Sequence, residues 1–236
     1  MEIIKDRINN EMEVFSNLIK TLNSYNIKYK IKGNILLHFI QYSKDYNDYF
    51  MGTRDLDLYA EHDQLEEVAE AFSKLSPMCE VIHSKDNIIK RIVNFNLQNI
   101  KHIDINSSEE ILLDEKYTDL YSIEGNSFYG NSIEGIFKDK IESISTRLVS
   151  RRFKDIIDIY ILSKMLLMNK SKLIEKFKKY NVGNFEYYFD VNTKKAKDSF
   201  EGYLSDYETV NEIYEYIGEV VKEAQDNTSS GGLLWQ

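Results

Sequence analysis

Asp55 and Asp57 stand one residue apart in the run Thr53-Arg54-Asp55-Leu56-Asp57-Leu58. In an extended strand successive side chains alternate faces. The two acids therefore share one face, and Leu56 and Leu58 point into the core. Two carboxylates so placed repel unless a cation or a proton lies between them, and a divalent metal satisfies both. Upstream stands Lys32-Gly33-Asn34, a glycine turn between a strand-like and a helix-like run. Such a turn brings backbone N–H groups and a helix N-terminus against phosphates. Acids for a metal and a turn for phosphates point to magnesium-dependent phosphoryl or nucleotidyl transfer. That chemistry rests on positioning and charge neutralisation. A third acid, Asp104, lies in His102-Ile103-Asp104-Ile105-Asn106, on the polar face of a second strand. It is the candidate third carboxylate, with Asp86, Asp114 and Asp119 as alternatives.

A second set of charges follows: Lys140, Arg147, Arg151, Lys154, Asp155 and Asp158. At about 100° per residue all six share one broad face of a single helix. The plain reading is a solvated stripe laced by ion pairs such as Arg151–Asp155 and Lys154–Asp158. A break at Ser150-Arg151-Arg152 would instead make the face a crevice between two helices. The functional reading turns the stripe toward the acids, with lysine neutralising a triphosphate and the aspartates orienting it. Arg54 either steers phosphate or pairs with a nearby acid such as Asp48. His38 lies in an apolar helical run and reads as a satisfied core histidine. His102 has no histidine or cysteine at ligand spacing, which argues against zinc. Phe185 to Phe189 reads as core, because no basic residue is interleaved with its rings.

The elements that position these residues follow from periodicity. Residues 2 to 24 predict an amphipathic helix, with Ile4, Ile8, Met12, Phe15, Leu18, Ile19 and Leu22 at three-to-four spacing. Ile27 to Ile31 predicts a strand, and Ile35 to Tyr42 a helix after the glycine turn. Ser43 to Met51 is a polar, aromatic spacer. Asp63 with Glu66 suggests a capping box opening a helix over 64–75, which Pro77 ends. Strand-like runs follow at Cys79 to Ser84, Ile88 to Asn96 and Ile100 to Asn106. Asp114 to Gly130 is hairpin-like, turning at Gly125-Asn126. Residues 134 to 167 have helical patterning, as do 170–180, 196–203 and 207–224. The division expected is an α/β core over 1–132, a helical domain over 133–225, and a flexible tail over 226–236.

The 236 residues are 42% hydrophobic and 13% aromatic, enough to build a core. The net charge of −9 argues against broad nonspecific nucleic-acid binding, though not against a local basic groove. The single cysteine, Cys79, permits no internal disulfide and reads as a reduced thiol. The N-terminus has no apolar signal core, and no apolar run approaches the roughly 18 residues of a membrane span. The expectation is a cytoplasmic protein without a membrane partner.

Taken in order, Lys-Gly-Asn, Arg-Asp-Leu-Asp-Leu, an Ile-Asp-Ile strand and Lys-x6-Arg-x6-Lys-Asp-x2-Asp carry a resemblance. The chain resembles the AbiEii/AbiGii-type toxins of the polymerase-β-like nucleotidyltransferase superfamily, over roughly residues 27 to 165. The resemblance implies an α+β fold: a mixed-sheet nucleotidyltransferase core, a C-terminal helical domain and an active site between them. It implies transfer of a nucleoside monophosphate from an NTP to an acceptor hydroxyl, with two Mg²⁺ ions. On that basis Asp55, Asp57 and Asp104 hold metal, and Asp104 also serves as the base. Lys32, Gly33, Asn34, Arg54, Lys140, Lys154 and Asp155 contact the nucleotide. Lys140 and Asp158 complete the catalytic set. Asn34 departs from the usual Gly or Ser, and the spacer from Gly33 to Asp55 is long for the superfamily. The implied partners are an NTP, an acceptor such as tRNA, and a cognate antitoxin. Two other readings stand beside this one: a small-molecule antibiotic adenylyltransferase, and a non-catalytic binding protein that keeps the fold.

Overall fold

The computed structural model describes residues 2–46, 53, 55–76, 78–83, 89–93, 100–107, 115–146, 153–180 and 207–229. Arg54, Arg147, Arg151, Asp86, Asp114, the segment 47–52, the cluster 185–189 and the helix expected over 196–203 lie outside them.

The chain divides into two units, Met1–Ile136 and Phe137–Gln236. In the first, α1 (Glu2–Ser24) leads to β1 (Tyr29–Lys32), α2 (Gly33–Ser43) and β2 (Asp55–Ala60). Then come α3 (Leu65–Leu75), β3 (Glu80–His83), β4 (Ile89–Val93), β5 (His102–Ser107), β6 (Thr118–Ile123) and β7 (Asn126–Asn131). The seven strands form one mixed sheet in the order β3-β4-β5-β2-β1-β7-β6. β2 runs antiparallel to β1 and parallel to β5, while β1 runs parallel to β7.

The alternation read from the sequence sorts the sheet into two faces. Ile31, Leu56, Leu58, Ile103 and Ile105 are fully buried on one of them. Helices α1, α2 and α3 supply that side of the core. Ile8, Met12, Phe15, Leu18, Ile19 and Leu22 of α1 are all buried, at the spacing that predicted the helix. Each such side chain contributes about 1.5–3 kcal/mol. Phe15 of α1, Phe39 of α2, and Tyr121 and Phe128 of the β6–β7 hairpin form an aromatic cluster, with Phe15 and Phe128 edge-on at 5.3 Å. Such contacts add about 0.5–1.5 kcal/mol per pair. The other face carries Lys30, Lys32, Asp55, Asp57, Tyr59, His102, Asp104 and Asn106 in register. The hairpin turns at Glu124 and Gly125, both at positive φ (47° and 79°), as a tight primed turn requires.

The second unit holds most of α4 (Ile133–Thr146), then α5 (Phe153–Met165), α6 (Lys170–Lys179) and α7 (Tyr207–Ser229). Asn169 caps α6 by accepting from the Lys172 N–H at 3.0 Å. Ile156, Ile157, Ile159, Leu162, Leu173, Phe177, Ile217, Val220 and Val221 fill its core.

Three local expectations change. The capping box at Asp63 does not form: a 3-10 turn over His62–Gln64 takes its place, and Gln64, the residue before α3, makes no side-chain cap bond. The pattern over 134–167 is two helices rather than one. Residues 226–229, polar enough to read as tail, continue α7. Among the described residues no helix is long and apolar enough to cross a membrane.

Candidate active site

β1 ends at Lys32, and α2 starts immediately at Gly33. Lys32 is extended (φ −140°, ψ −176°), so the chain must reverse direction within one residue. Gly33 does this at φ +76°, a conformation L side chains adopt at a cost. Space demands glycine as well. A Cβ on Gly33 would fall inside the envelope of Asp57 Oδ2 and 3.2 Å from Asp57 Cβ and Cγ. The Gly33 turn and the Asp57 carboxylate thus lie so close that no side chain fits between them.

Register explains this closeness. Lys32 lies opposite Asp57, and Asp57 lies opposite Asp104 across the parallel β2–β5 pair. Arg91 of β4 is the register partner of Asp104 on the far side. In register, the row across β1, β2 and β5 therefore reads Lys32, Asp57, Asp104. Adjacent strands lie about 4.8 Å apart, so the two acids are nearest neighbours on the polar face. Asp55 is one pleat along, opposite His102. Asp55 is exposed, and Asp57 and Asp104 are half-buried. Lys32 Nζ lies over the Tyr59 ring at 4.2 Å. Lys30 is buried, and its ammonium donates to Thr118 Oγ1 at 2.9 Å. Asp119, one alternative for the third acid, is on β6, at the sheet edge beyond β1 and β7.

The donors on this face are hard oxygens, which suit Mg²⁺ or Ca²⁺ rather than zinc. Among the described residues no three His, Cys, Asp or Glu side chains converge as a group that could hold a metal ion, so Asp55, Asp57 and Asp104 are not brought together as a three-carboxylate set. Mg²⁺ needs only one or two carboxylates and completes its shell with water and substrate phosphates. The acids present fit such a partial site.

The second set of predicted residues forms a cluster within the second unit. Lys140 of α4 sits between two aspartates of α5, with Nζ 2.8 Å from Asp155 Oδ1 and 2.6 Å from Asp158 Oδ2. All three residues are at most 7% exposed. The crevice between two helices is thus the arrangement found. Burial alone would lower the Lys140 pKa, but Asp158 and then Asp155 outweigh it and hold the ammonium above its ordinary 10.5. The buried Tyr214 phenol of α7 is pushed up, first by desolvation and then by the same two aspartates. Lys154 is half-buried.

One group of residues was not foreseen. Glu11 of α1, 3% exposed, pairs with His38 of α2, with Nδ1 2.6 Å from Oε1. Its other oxygen accepts the Thr53 N–H at 3.2 Å. A glutamate on the buried stripe of an amphipathic helix, four residues before Phe15, was the available signal.

The chain matches no family model and no curated protein sequence. Solved structures do resemble it. An H. pylori protein designated a nucleotidyltransferase aligns with TM-score 0.52 and 17% identity, over 94% of this chain and 96% of that one. The antibiotic-resistance factor ANT(2'')-Ia aligns with TM-score 0.51 and 14% identity, over 73% of this chain and 91% of that one. The fold is a nucleotidyltransferase fold. With that fold, the β1–α2 turn and the β2 acids have a common frame.

Proposed function

We propose that this protein is a Mg²⁺-dependent nucleotidyltransferase that moves a nucleoside monophosphate from an NTP to an acceptor hydroxyl. The observation that carries the reading is the contact of Gly33 with the Asp57 carboxylate, with Asp104 next to it in register. The Gly33-Asn34 backbone, the Asp57 carboxylate and Asp104 lie within one pleat of each other, which supports reading them as phosphate cradle, metal ligand and base. Mg²⁺, held by one or two of Asp55, Asp57 and Asp104, would supply charge neutralisation at the transferring phosphate. The backbone at Gly33-Asn34, at the start of α2, offers N–H groups and the positive helix end to the triphosphate. Lys32 adds a cation beside them. Asp104, on the row with Asp57, is assigned to accept the proton of the incoming hydroxyl.

We assign the protein as the toxin of an abortive-infection or toxin–antitoxin pair in the cytoplasm, with tRNA as acceptor and a cognate antitoxin as partner. The motif order Lys-Gly-Asn, Asp-Leu-Asp, Ile-Asp-Ile and Lys-Asp-x2-Asp supports that choice. A second reading, adenylylation of a cationic antibiotic, is favoured by the net charge of −9 and by the likeness to ANT(2'')-Ia. Incubating the purified protein with each α-labelled NTP, Mg²⁺, and either total tRNA or aminoglycosides separates the two. Label transfer by Asp57→Ala equal to that of wild type would refute the catalytic assignment.

A further inference from the structure

A carboxylate on the apolar stripe of α1 needs explaining. Its neighbours Met12, Val14 and Phe15 are fully packed, and an apolar side chain at position 11 would add to the same core. Burying a carboxylate is costly unless both oxygens find donors. Glu11 finds two, on two different elements. Oε1 receives the His38 imidazole of α2, the helix that begins at the phosphate turn. Oε2 receives the Thr53 N–H just before β2, the strand that bears the acids. Thr53 passes the constraint on, because its Oγ1 accepts the Asp55 N–H at 3.3 Å. Glu11, His38 and Thr53 are 3%, 2% and 6% exposed, so no water competes for these bonds.

The two elements joined by this one carboxylate are those that meet at Gly33 and Asp57. That meeting has no slack, since even a methyl group does not fit between them. A small displacement of α2 against β2 would either open the phosphate turn away from the acid or press them together. We infer that Glu11 is a positioning residue: it sets the distance between the phosphate-binding turn and the metal-binding acids, acting through His38 on one side and Thr53 on the other. This inference rests on the nucleotidyltransferase reading.

The test uses the full chain with Glu11→Gln, which keeps shape but lacks the charge. His38→Gln serves as a second variant should the first fold poorly. Ser16→Ala is the control: Ser16 also anchors α1, but its hydroxyl donates to Glu124 in the hairpin turn at 2.6 Å. Removing outer-shell support of a metal site typically weakens metal affinity about 10- to 100-fold. Glu11→Gln is therefore expected to raise the Mg²⁺ activation constant and the Mn²⁺ dissociation constant, read by paramagnetic resonance, by about 10-fold or more. Amide exchange should speed up about 10-fold at Thr53, Asp55 and the first turn of α2, while the β6–β7 hairpin keeps its protection. Ser16→Ala should alter stability and neither metal constant. Unchanged metal constants in Glu11→Gln, or exchange raised evenly across the first unit, would overturn the positioning role and leave an ordinary structural pair. Wild-type protein that binds no Mg²⁺–NTP in calorimetry would overturn the proposed function, and the positioning role with it.

Discussion

Replacing Gly33 by alanine tests the closeness of turn and acid without removing any charged group. Gly33→Ala meets two penalties. The first is conformational, because at φ +76° a Cβ crowds its own backbone at about 1–2 kcal/mol. The second is steric. The new methyl overlaps Asp57 Oδ2 and lies 3.2 Å from Asp57 Cβ and Cγ, so the carboxylate must swing off its rotamer, at about 0.5–1.5 kcal/mol. Together they destabilise by about 1.5–3.5 kcal/mol. The hairpin provides an internal standard. Gly125 has nearly the same φ, +79°, yet a Cβ there meets nothing within 4 Å. Gly125→Ala should carry only the conformational penalty. The difference between the two variants, read by urea unfolding, isolates the contact with Asp57 at about 0.5–1.5 kcal/mol. The double variant Gly33→Ala/Asp57→Ala should recover that difference, and the cycle should show coupling. Nucleotidyl transfer should collapse in Gly33→Ala and survive in Gly125→Ala. Equal stability losses at the two glycines, with transfer intact in both, would refute the claim that turn and acid meet with no room to spare.

Further outcomes follow from the same geometry. Asp57→Asn should leave the fold intact and lower transfer by at least about 10²–10³-fold, the loss seen when one electrostatic element of a site is removed. Mg²⁺ with a non-hydrolysable NTP at about 100 times its dissociation constant should stabilise the wild type by about 2.7 kcal/mol, and Asp57→Asn should lose that gain in a thermal-shift assay. Lys140→Met should destabilise the second unit by about 3–5 kcal/mol, because two buried aspartates lose their counter-ion. Lys140 binds its proton more tightly when folded than its ordinary 10.5. Its stabilisation is therefore full below pH 10.5 and is lost as pH rises through the higher folded value. Wild-type stability should fall more steeply above pH 10.5 than that of Lys140→Met, measured by denaturant titration across the alkaline range.

Strand patterning was the most legible level of the sequence. Period-two alternation put Leu56, Leu58, Ile103 and Ile105 inside and the acids outside, and all four apolar residues are fully buried. The hairpin was equally readable, since Gly125-Asn126 marks a turn whose residues need positive φ. Contacts that depend on register or tertiary approach were not readable. Nothing local to Gly33 reports that Asp57 fills the space beside it. The charged stripe over 140–158 has helical period throughout, and period alone does not reveal that α4 ends at Thr146 and Lys140 reaches across to α5. The capping box failed because a 3-10 turn competes locally for the same residues. Glu11 was passed over because its neighbours define an apolar helix face, and its purpose lies in two partners far along the chain.

The mixed pairing of the central strands has a consequence for how the molecule is made. β1 and β2 pair with each other across a short stretch of sequence, but each takes its other neighbour from far downstream, β7 and β5 respectively. On a ribosome the Gly33 turn and the first two acids emerge long before these partners. Until residue 107 appears, β2 has an open hydrogen-bonding edge, and β1 keeps one until residue 131. Such edges invite pairing with other chains. Non-local pairing also folds slowly, because loop closure must precede the contacts that reward it. Asp57 gains Asp104 as neighbour only when β5 docks, so synthesis of nearly the whole first unit must precede assembly of the acid row. A nascent or truncated chain that already displays every residue of the Asp-Leu-Asp motif therefore lacks the acid row, and its open edges precede the row's assembly.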